Sequence, residues 1–429
     1  MVVCCIPKPI KFIIVIKQIN KCRICNNNIL VEVLDLGEQY LTSIFPKKSE
    51  IQQIRTFPLK LVKCHGDSNV CNLIQLQHSV EKKLMYSNDY GYRSGLNQSM
   101  VDHLQKRILK IKKIVQFNNN DIVVDIGSND GTTLSNYDKN VIKIGIDPTA
   151  EKFRNFYKDD IVIVNDFFSK QVLKNCIGNK KIKVITSFAM FYDLDNPLDF
   201  AEQIKEVLDP VHGIWVLEQS YLPEMISKLS FDTVCHEHLE YYSLFQINWI
   251  MKNVGLKIID VDFNEVNGGS FAVTVCNIDS NHYSTPNYVK NILKFEKENG
   301  FLGKKVFKEF SNKVKKFRDD FHNFLLNQRN KGKKIMGIGA STKGNVILQY
   351  CNIDSNIVPF IGEINPEKFN KFTPGSWIEI VDEINVLKQN PDLLMILPWH
   401  FKEFFIKNSK YRKFDLLFPL PKQQIVKSK

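Results

Sequence analysis

"NDIVVDIGSNDGTTL", Asn120 to Leu134, decides the fold. Ile122 to Ile126 reads as a buried strand that runs into a glycine turn and then a helix. Gly127 and Gly131 allow tight backbone geometry beside a ligand. "VIKIGIDPTAEKF" follows as a second strand ending in Asp147, an acidic residue placed to hold a ribose diol. A third element, "IVIVNDFFS", ends near Asp166, with Phe167 beside it. A fourth, "KVITSFAMFYDL", is a strand with a loop at its end. A helix, "NPLDFAEQIKEVL", and a strand, "GIWVLEQSY", come next. Strands alternating with helices imply a doubly wound parallel α/β sheet.

Two cofactor classes use such a turn. Dinucleotide enzymes require G-x-G-x-x-G, whose third glycine lets the helix approach the strand. The pattern here is D-I-G-S-N-D-G, acidic at its start and without G-x-G. It favours S-adenosylmethionine, with the cationic amino acid end near Asp125, the Gly127–Asn129–Gly131 turn around it, and the adenosine reaching Asp147, Asp166 and Phe167. The alternative is a βα turn with a purely structural role.

The chain has 429 residues, which implies two or three domains, and 44% are apolar, as in a folded globular protein. The net charge is +12, with lysines spread along the whole length. No basic block interleaved with aromatics marks a nucleic-acid face, so the excess suits anionic small substrates such as nucleotides. In the opening "MVVCCIPKPIKFIIVIKQIN" the longest apolar run, Phe12 to Ile16, is broken by Lys11 and Lys17. That is too short for a membrane span or a signal core, and no other stretch approaches about 18 apolar residues. A soluble, cytoplasmic chain is expected, as a monomer or homodimer.

Ten cysteines in such a chain point to ligands or buried thiols rather than disulfides. "KCRICNNN" places Cys22 and Cys25 in a C-x2-C knuckle, and "LVKCHGDSNVCNLIQL" adds Cys64 and Cys71. Two such pairs can give four thiolates to a tetrahedral structural zinc, which leaves no open position for catalysis. A redox C-x2-C or plain buried thiols are the alternatives.

"FDTVCHEHLEYYSL", Phe231 to Leu244, carries the chemistry. As a metal site H-E-H is poor: on a strand His236 and His238 share a face with Glu237 opposite, and on a helix they diverge by about 200°. Acid–base work is the better reading, because the segment follows the fifth core strand, where cofactor and substrate meet. Histidine can take a proton from a carbon acid while a carboxylate orients it or the substrate.

"KKIMGIGASTKGNVIL" is another strand, glycine turn and helix, and it is not a Walker A loop. Gly337, Gly339, Ser341, Lys343 and Gly344 suit a backbone cradle for a diphosphate, with Lys343 adding charge. A packing turn in a degenerate repeat of the core is the alternative. "KKVFKEFSNKVKKFRDDFHNFLLNQRNKG" reads as one long amphipathic helix with a solvated charged face.

Together "VVDIGSNDG", "GIDP", "CHEHLEYYSL" and "VNGGSF" resemble the class I methyltransferases that C-methylate nucleotide-linked keto-deoxysugars, and the likeness runs from about Cys22 to Phe401. The resemblance implies a zinc-binding β-rich N-terminal domain (21–85) after a leader (1–20), a Rossmann-like methyltransferase core (86–300), and a linker helix with a second Rossmann-like domain (301–429). It puts Cys22, Cys25, Cys64 and Cys71 on the zinc and makes His238 the general base. Glu237 would contact the sugar, with Tyr90 or Tyr92 of "NDYGYRSG" lining the pocket and His236 supporting the loop. Tyr192, Tyr241, Asn267, Ser341 and Lys343 would face the substrate. Some relatives carry tyrosine at Cys235 and histidine near Tyr192. The implied reaction removes a proton beside the keto group of a nucleotide-linked, dTDP- or other NDP-, 4-keto-6-deoxyhexose and then methylates that carbon. O- or N-methylation of such a sugar is the rival, and a non-catalytic nucleotide-sugar-binding protein is a second.

Overall fold

The computed structural model describes residues 16–67, 69–85 and 92–428. Three larger sheets organise them. The central one has seven strands in the order Leu256–Asn264, Ser270–Asn277, Ile214–Ser220, Val184–Phe188, Ile122–Ile126, Ile142–Ile146 and Ile161–Val164. From Ile214–Ser220 to Ile161–Val164 all neighbours are parallel, and Ser270–Asn277 pairs antiparallel at the other side. Ile122, Val123, Val124 and Ile126 are each at most 3% exposed, as expected of a strand covered on both faces. One cover is the helix Gln98–Ile114, capped by the Asn97 side chain on the Ser99 N–H, with Leu104, Ile108 and Ile111 turned inward. The helices Pro197–Val207 and Leu244–Val254 line the opposite side with Phe200, Ile204, Ile247 and Ile250.

Ile122–Ile126 is flanked by the second strand on one side and the fourth on the other, so strand order reverses there. The crevice at the carboxyl ends of these strands is where open α/β sheets bind ligands. One expectation is corrected at this point. No α-helix follows the glycine turn; the chain makes a single 3-10 turn, Leu134–Asn136. The segment before Ile142 is short and rich in serine, asparagine and threonine. Ser135 Oγ donates to the Gly131 carbonyl at 2.9 Å, and Asn136 Nδ2 donates to that of Thr132 at 2.8 Å. The Ser135 N–H still makes one helical bond to the Gly131 carbonyl at 3.0 Å, but the Asn136 side chain takes the Thr132 carbonyl while the Asn136 N–H turns to that of Thr133 at 3.2 Å, and the turn goes no further.

The N-terminal sheet has four strands: Glu240–Tyr241, Ile74–Leu76, Thr56–Cys64 and Leu30–Tyr40. Its edge strand is thus supplied by the "CHEHLEYY" segment, far downstream in the chain. Lys17–Gln18, within the leader, pairs with His78–Ser79. The C-terminal sheet has six strands, in the order Glu379–Asp382, Phe360–Glu363, Ile335–Ile338, Leu393–Ile396, Leu416–Phe418 and Gln424–Val426, parallel except for the last pair.

The long helix expected before this sheet is present as Lys305–Asn330, and it buries Phe307, Phe310, Val314, Phe321 and Leu325 at helical spacing. These join Leu34, Leu59 and Ile74 of the N-terminal sheet and Ile335, Ile347 and Leu394 of the C-terminal domain in one apolar cluster. The N- and C-terminal domains therefore share a core. Among the described residues no helix is long and apolar enough to cross a membrane.

Candidate active site

The glycine turn is built as a cradle. Gly127 and Gly131 have φ of +76° and +75°, and Asn129 is left-handed as well. A Cβ at Gly131 would come within 2.7 Å of the Tyr157 ring, so the position admits only glycine. Tyr157 braces the turn by donating its hydroxyl to the Asn129 carbonyl at 2.8 Å. Asp147, at the end of the second strand, accepts the Asn129 N–H at 2.9 Å and the Thr149 N–H at 2.7 Å. Those bonds aim its carboxylate at the turn and leave acceptor capacity for a ribose.

Asp125 is buried and accepts Thr186 Oγ at 2.5 Å. Burial pushes its pKa up to about 7, while the threonine bonds hold it lower. Asp166 and Phe167 lie exposed at the end of the third strand, with Phe167 47% exposed. Across the mouth, Ser94 N–H bonds Asn129 Oδ1 and Gly95 N–H bonds Asp130 Oδ2, each at 2.9 Å. Tyr92 is 50% exposed, and its carbonyl accepts Asn129 Nδ2 at 3.2 Å, which places it at the rim of the cofactor turn. Tyr90 lies outside the described residues.

The loop after the fourth strand links this turn to the histidines. Met190 touches the Gly127 Cα side, where an added Cβ would meet it at 3.2 Å, and the Tyr192 ring sits 4.3 Å from that of His238. His238 Nδ1 lies 2.8 Å from the Thr233 carbonyl. A carbonyl only accepts, so Nδ1 carries the proton and Nε2 keeps its lone pair. Burial drives the His238 pKa down to about 4, against the pull of Glu237 and the Thr233 bond; the positive charge of Lys343 adds to the fall. The ring is therefore neutral at physiological pH. It lines a small cavity with Tyr192, Ser220, Leu222, Glu240 and Tyr241.

Glu237 is 7% exposed, and neither carboxylate oxygen has a hydrogen-bond partner within the protein. Its polar neighbours include the Cys235 thiol and the His238 ring. His236 differs: it is buried and donates Nε2 to the Phe57 carbonyl at 3.2 Å, tying the loop to the N-terminal sheet. The two rings do not share a strand face, because residues 234–239 form a loop.

The C-terminal domain closes this side. Lys343 Nζ donates to the Asn267 carbonyl at 2.6 Å, and Trp399 Nε1 donates to Asp232 Oδ2 at 2.7 Å. Burial lowers the Lys343 pKa, and nearby Asp232 opposes the fall. The Ser341 hydroxyl accepts the Gly344 N–H at 3.0 Å and so caps the helix Thr342–Tyr350. Glu363, at the end of Phe360–Glu363, accepts the Ala340 N–H at 3.0 Å, much as Asp147 accepts that of Asn129.

Sulfur atoms of Cys22, Cys25, Cys64 and Cys71 all lie within 4.8 Å of one another, with Cys22–Cys71 at 3.3 Å and Cys25–Cys64 at 3.5 Å. A tetrahedral zinc with about 2.3 Å bonds to sulfur fits that spacing, and the four thiols form the donor set of a closed structural site. Asn27 Nδ2 donates to Cys64 Sγ at 3.3 Å, and Gln246 Nε2 reaches the Cys71 carbonyl at 3.3 Å.

Three family models match in tandem: "Putative zinc binding domain" over residues 22–86, "Methyltransferase domain" over 97–261, and "C-methyltransferase C-terminal domain" over 265–421. The chain is an S-adenosylmethionine-dependent methyltransferase that carries these three domains in this order. C-methyltransferase NovU of Streptomyces niveus is 24% identical over 92% of this chain and 93% of its own. Among solved structures, the plantazolicin methyltransferase BpumL with S-adenosylhomocysteine is 15% identical over 42% of this chain and 88% of its own, at a TM-score of 0.32. Magnesium protoporphyrin IX methyltransferase from Synechocystis with bound S-adenosylmethionine is 10% identical over 42% and 79%, at 0.30.

Sequence reasoning missed Thr233, whose main-chain oxygen sets the His238 tautomer; no sequence pattern announces a carbonyl. It also passed over Arg23, Asp232 and Trp399.

Proposed function

We propose that this C-methyltransferase acts on a nucleotide-linked 4-keto-6-deoxyhexose. One observation carries the reading. His238 presents a neutral ring with a free Nε2 lone pair at a cavity that Tyr192, Glu240 and Tyr241 also line. A keto group acidifies the neighbouring carbon. His238 Nε2 takes that proton, and the Thr233 carbonyl steadies the imidazolium through Nδ1–H. Glu237 holds sugar hydroxyls and Tyr192 flanks the ring. S-adenosylmethionine supplies an already activated methyl group, so this chain's own task is orientation and proton removal. Asp125, the Gly127–Gly131 turn, Asp147, Asp166 and Phe167 hold the cofactor. Lys343 and the turn at Gly339 face the anionic nucleotide half. Cys22, Cys25, Cys64 and Cys71 hold a structural zinc.

The test separates proton removal from methyl transfer. With S-adenosylhomocysteine bound and a dTDP-4-keto-6-deoxyhexose in deuterated water, the sugar carbon beside the ketone should take up deuterium. With S-adenosylmethionine, mass spectrometry should place the methyl on that carbon. Methylation without deuterium uptake under any condition, with the methyl on oxygen or nitrogen, would reject the reading.

A further inference from the structure

We infer that Arg23 is a positioning residue for His238, and that the cysteine centre holds the strand from which the base is suspended. The inference rests on the reading of His238 as the base. Arg23 lies between Cys22 and Cys25, so its backbone is set by the knuckle, where the Cys22 N–H bonds the Asn27 carbonyl at 2.8 Å and the Asn26 N–H bonds that of Cys22 at 3.0 Å. Its side chain does not turn to solvent. Nη1 donates to the Leu76 carbonyl at 2.6 Å, Nη2 donates to Ser79 Oγ at 3.0 Å, and Nε faces Glu240 Oε1 at 3.7 Å. The side chains of Arg23 and Glu240 are 3% and 0% exposed.

Glu240 stands opposite Gln75 in the ladder, and Gln75 Oε1 accepts the Arg23 N–H at 3.1 Å. Glu240 also lines the cavity that His238 lines. The strand Glu240–Tyr241 has only two residues. Such a short pairing does not hold its own register. Beyond the Leu222 N–H bond to the Tyr242 carbonyl at 2.8 Å, three ties hold it. Leu76 N–H bonds the Leu239 carbonyl at 2.9 Å, Leu239 N–H bonds the Tyr192 carbonyl at 2.7 Å, and the Arg23 guanidinium clamps Glu240 and Leu76 together. His238, two residues before Glu240, takes its place from this clamp. The metal centre thus acts on the reaction through Arg23, in addition to stabilising its own domain.

The test uses the zinc-loaded full chain and two variants, Arg23→Lys, which keeps the charge and loses the fork, and Arg23→Met combined with Glu240→Gln, which removes both charges. Both should keep one zinc and bind S-adenosylhomocysteine within about threefold of the parent. Solvent-deuterium exchange into a dTDP-4-keto-6-deoxyhexose should slow about 10- to 100-fold, as for a displaced catalytic group. The His238 Nδ1–H proton resonance, assigned with His238→Asn, should shift or broaden. Parent-like exchange with an unmoved resonance in either folded variant overturns the inference. Should neither variant fold, zinc is stripped from the parent with a thiol reagent and chelator in the presence of S-adenosylhomocysteine, and a resonance unmoved after metal loss overturns it equally. A His238→Asn protein that exchanges normally rejects the base assignment instead, and leaves the resonance result standing.

Discussion

The ring of Tyr192 lies 4.3 Å from the ring of His238, while Met190, two residues earlier in the same loop, packs on Gly127 of the cofactor turn. One short loop therefore touches both the glycine turn and His238. This explains how a strand end and a distant histidine motif form one site: the loop after the fourth core strand spans them, and the Leu239 N–H bond to the Tyr192 carbonyl locks the second contact.

His238→Asn should abolish both deuterium exchange and methylation yet leave S-adenosylhomocysteine affinity unchanged by calorimetry. His236→Asn should lower activity less, because that ring bonds a backbone carbonyl instead of lining the cavity. The exchange rate should show its acid limb below pH 5, following a pKa near 4, and not near the usual 6.5. A limb at 6.5 would assign the base to a more exposed histidine.

The same depression bears on stability. His238 has a lower pKa folded than unfolded, so the unfolded chain binds the extra proton first. Its contribution is complete above about pH 6.5 and is lost as pH falls through about 4. Burial shifts His400 in the same direction, to about 3. Thermal denaturation scanned across this window should show the His238→Asn protein losing less melting temperature on acidification than the parent.

Asp125 should report cofactor binding through its proton. Burial holds its pKa at about 7, and a cationic ligand end nearby would lower it. Binding of S-adenosylmethionine at pH 6 should therefore release a proton, visible as a binding enthalpy that changes with the ionisation enthalpy of the buffer. The release should vanish well above pH 7 and in Asp125→Asn. An enthalpy independent of buffer at pH 6 would remove Asp125 from contact with the cation.

Asp147→Asn should weaken S-adenosylmethionine by roughly 10- to 100-fold, the value of a charge-assisted bond to a ribose. The turn it caps through Asn129 and Thr149 should survive, with circular dichroism unchanged. Unaltered affinity, or tight binding of NAD, would mean that the turn serves another ligand.

Cys64→Ser should lose zinc by metal analysis and melt earlier, because a structural zinc contributes directly to folding free energy. Glu237→Gln should instead keep zinc and fold, and raise the KM for the sugar by roughly 10-fold or more, the cost of a lost charged hydrogen bond. A Cys64→Ser protein with full zinc content would place the metal elsewhere.

Local pattern carried much of this protein. The apolar run before Gly127, the acid at Asp147, the cysteine spacing and the amphipathic helix at Lys305–Asn330 are short-range features, and alternation, glycine content and 3.6-residue periodicity record them directly. A helix expected after Gly131 was the exception: there the Asn136 side chain takes the Thr132 carbonyl that the next helical bond would have used. What tertiary structure alone decided is the company of the histidine motif. "CHEHLEYY" announces acid–base chemistry, but nothing in its letters says that Glu240–Tyr241 becomes an edge strand of the cysteine domain. Nor do they say that the Thr233 carbonyl selects the tautomer, or that Lys343 and Trp399 arrive from the last domain. Those are long-range contacts of backbone groups and of single buried charges. Their partners are settled by which surfaces exclude water against one another, and one-dimensional spacing holds no record of that.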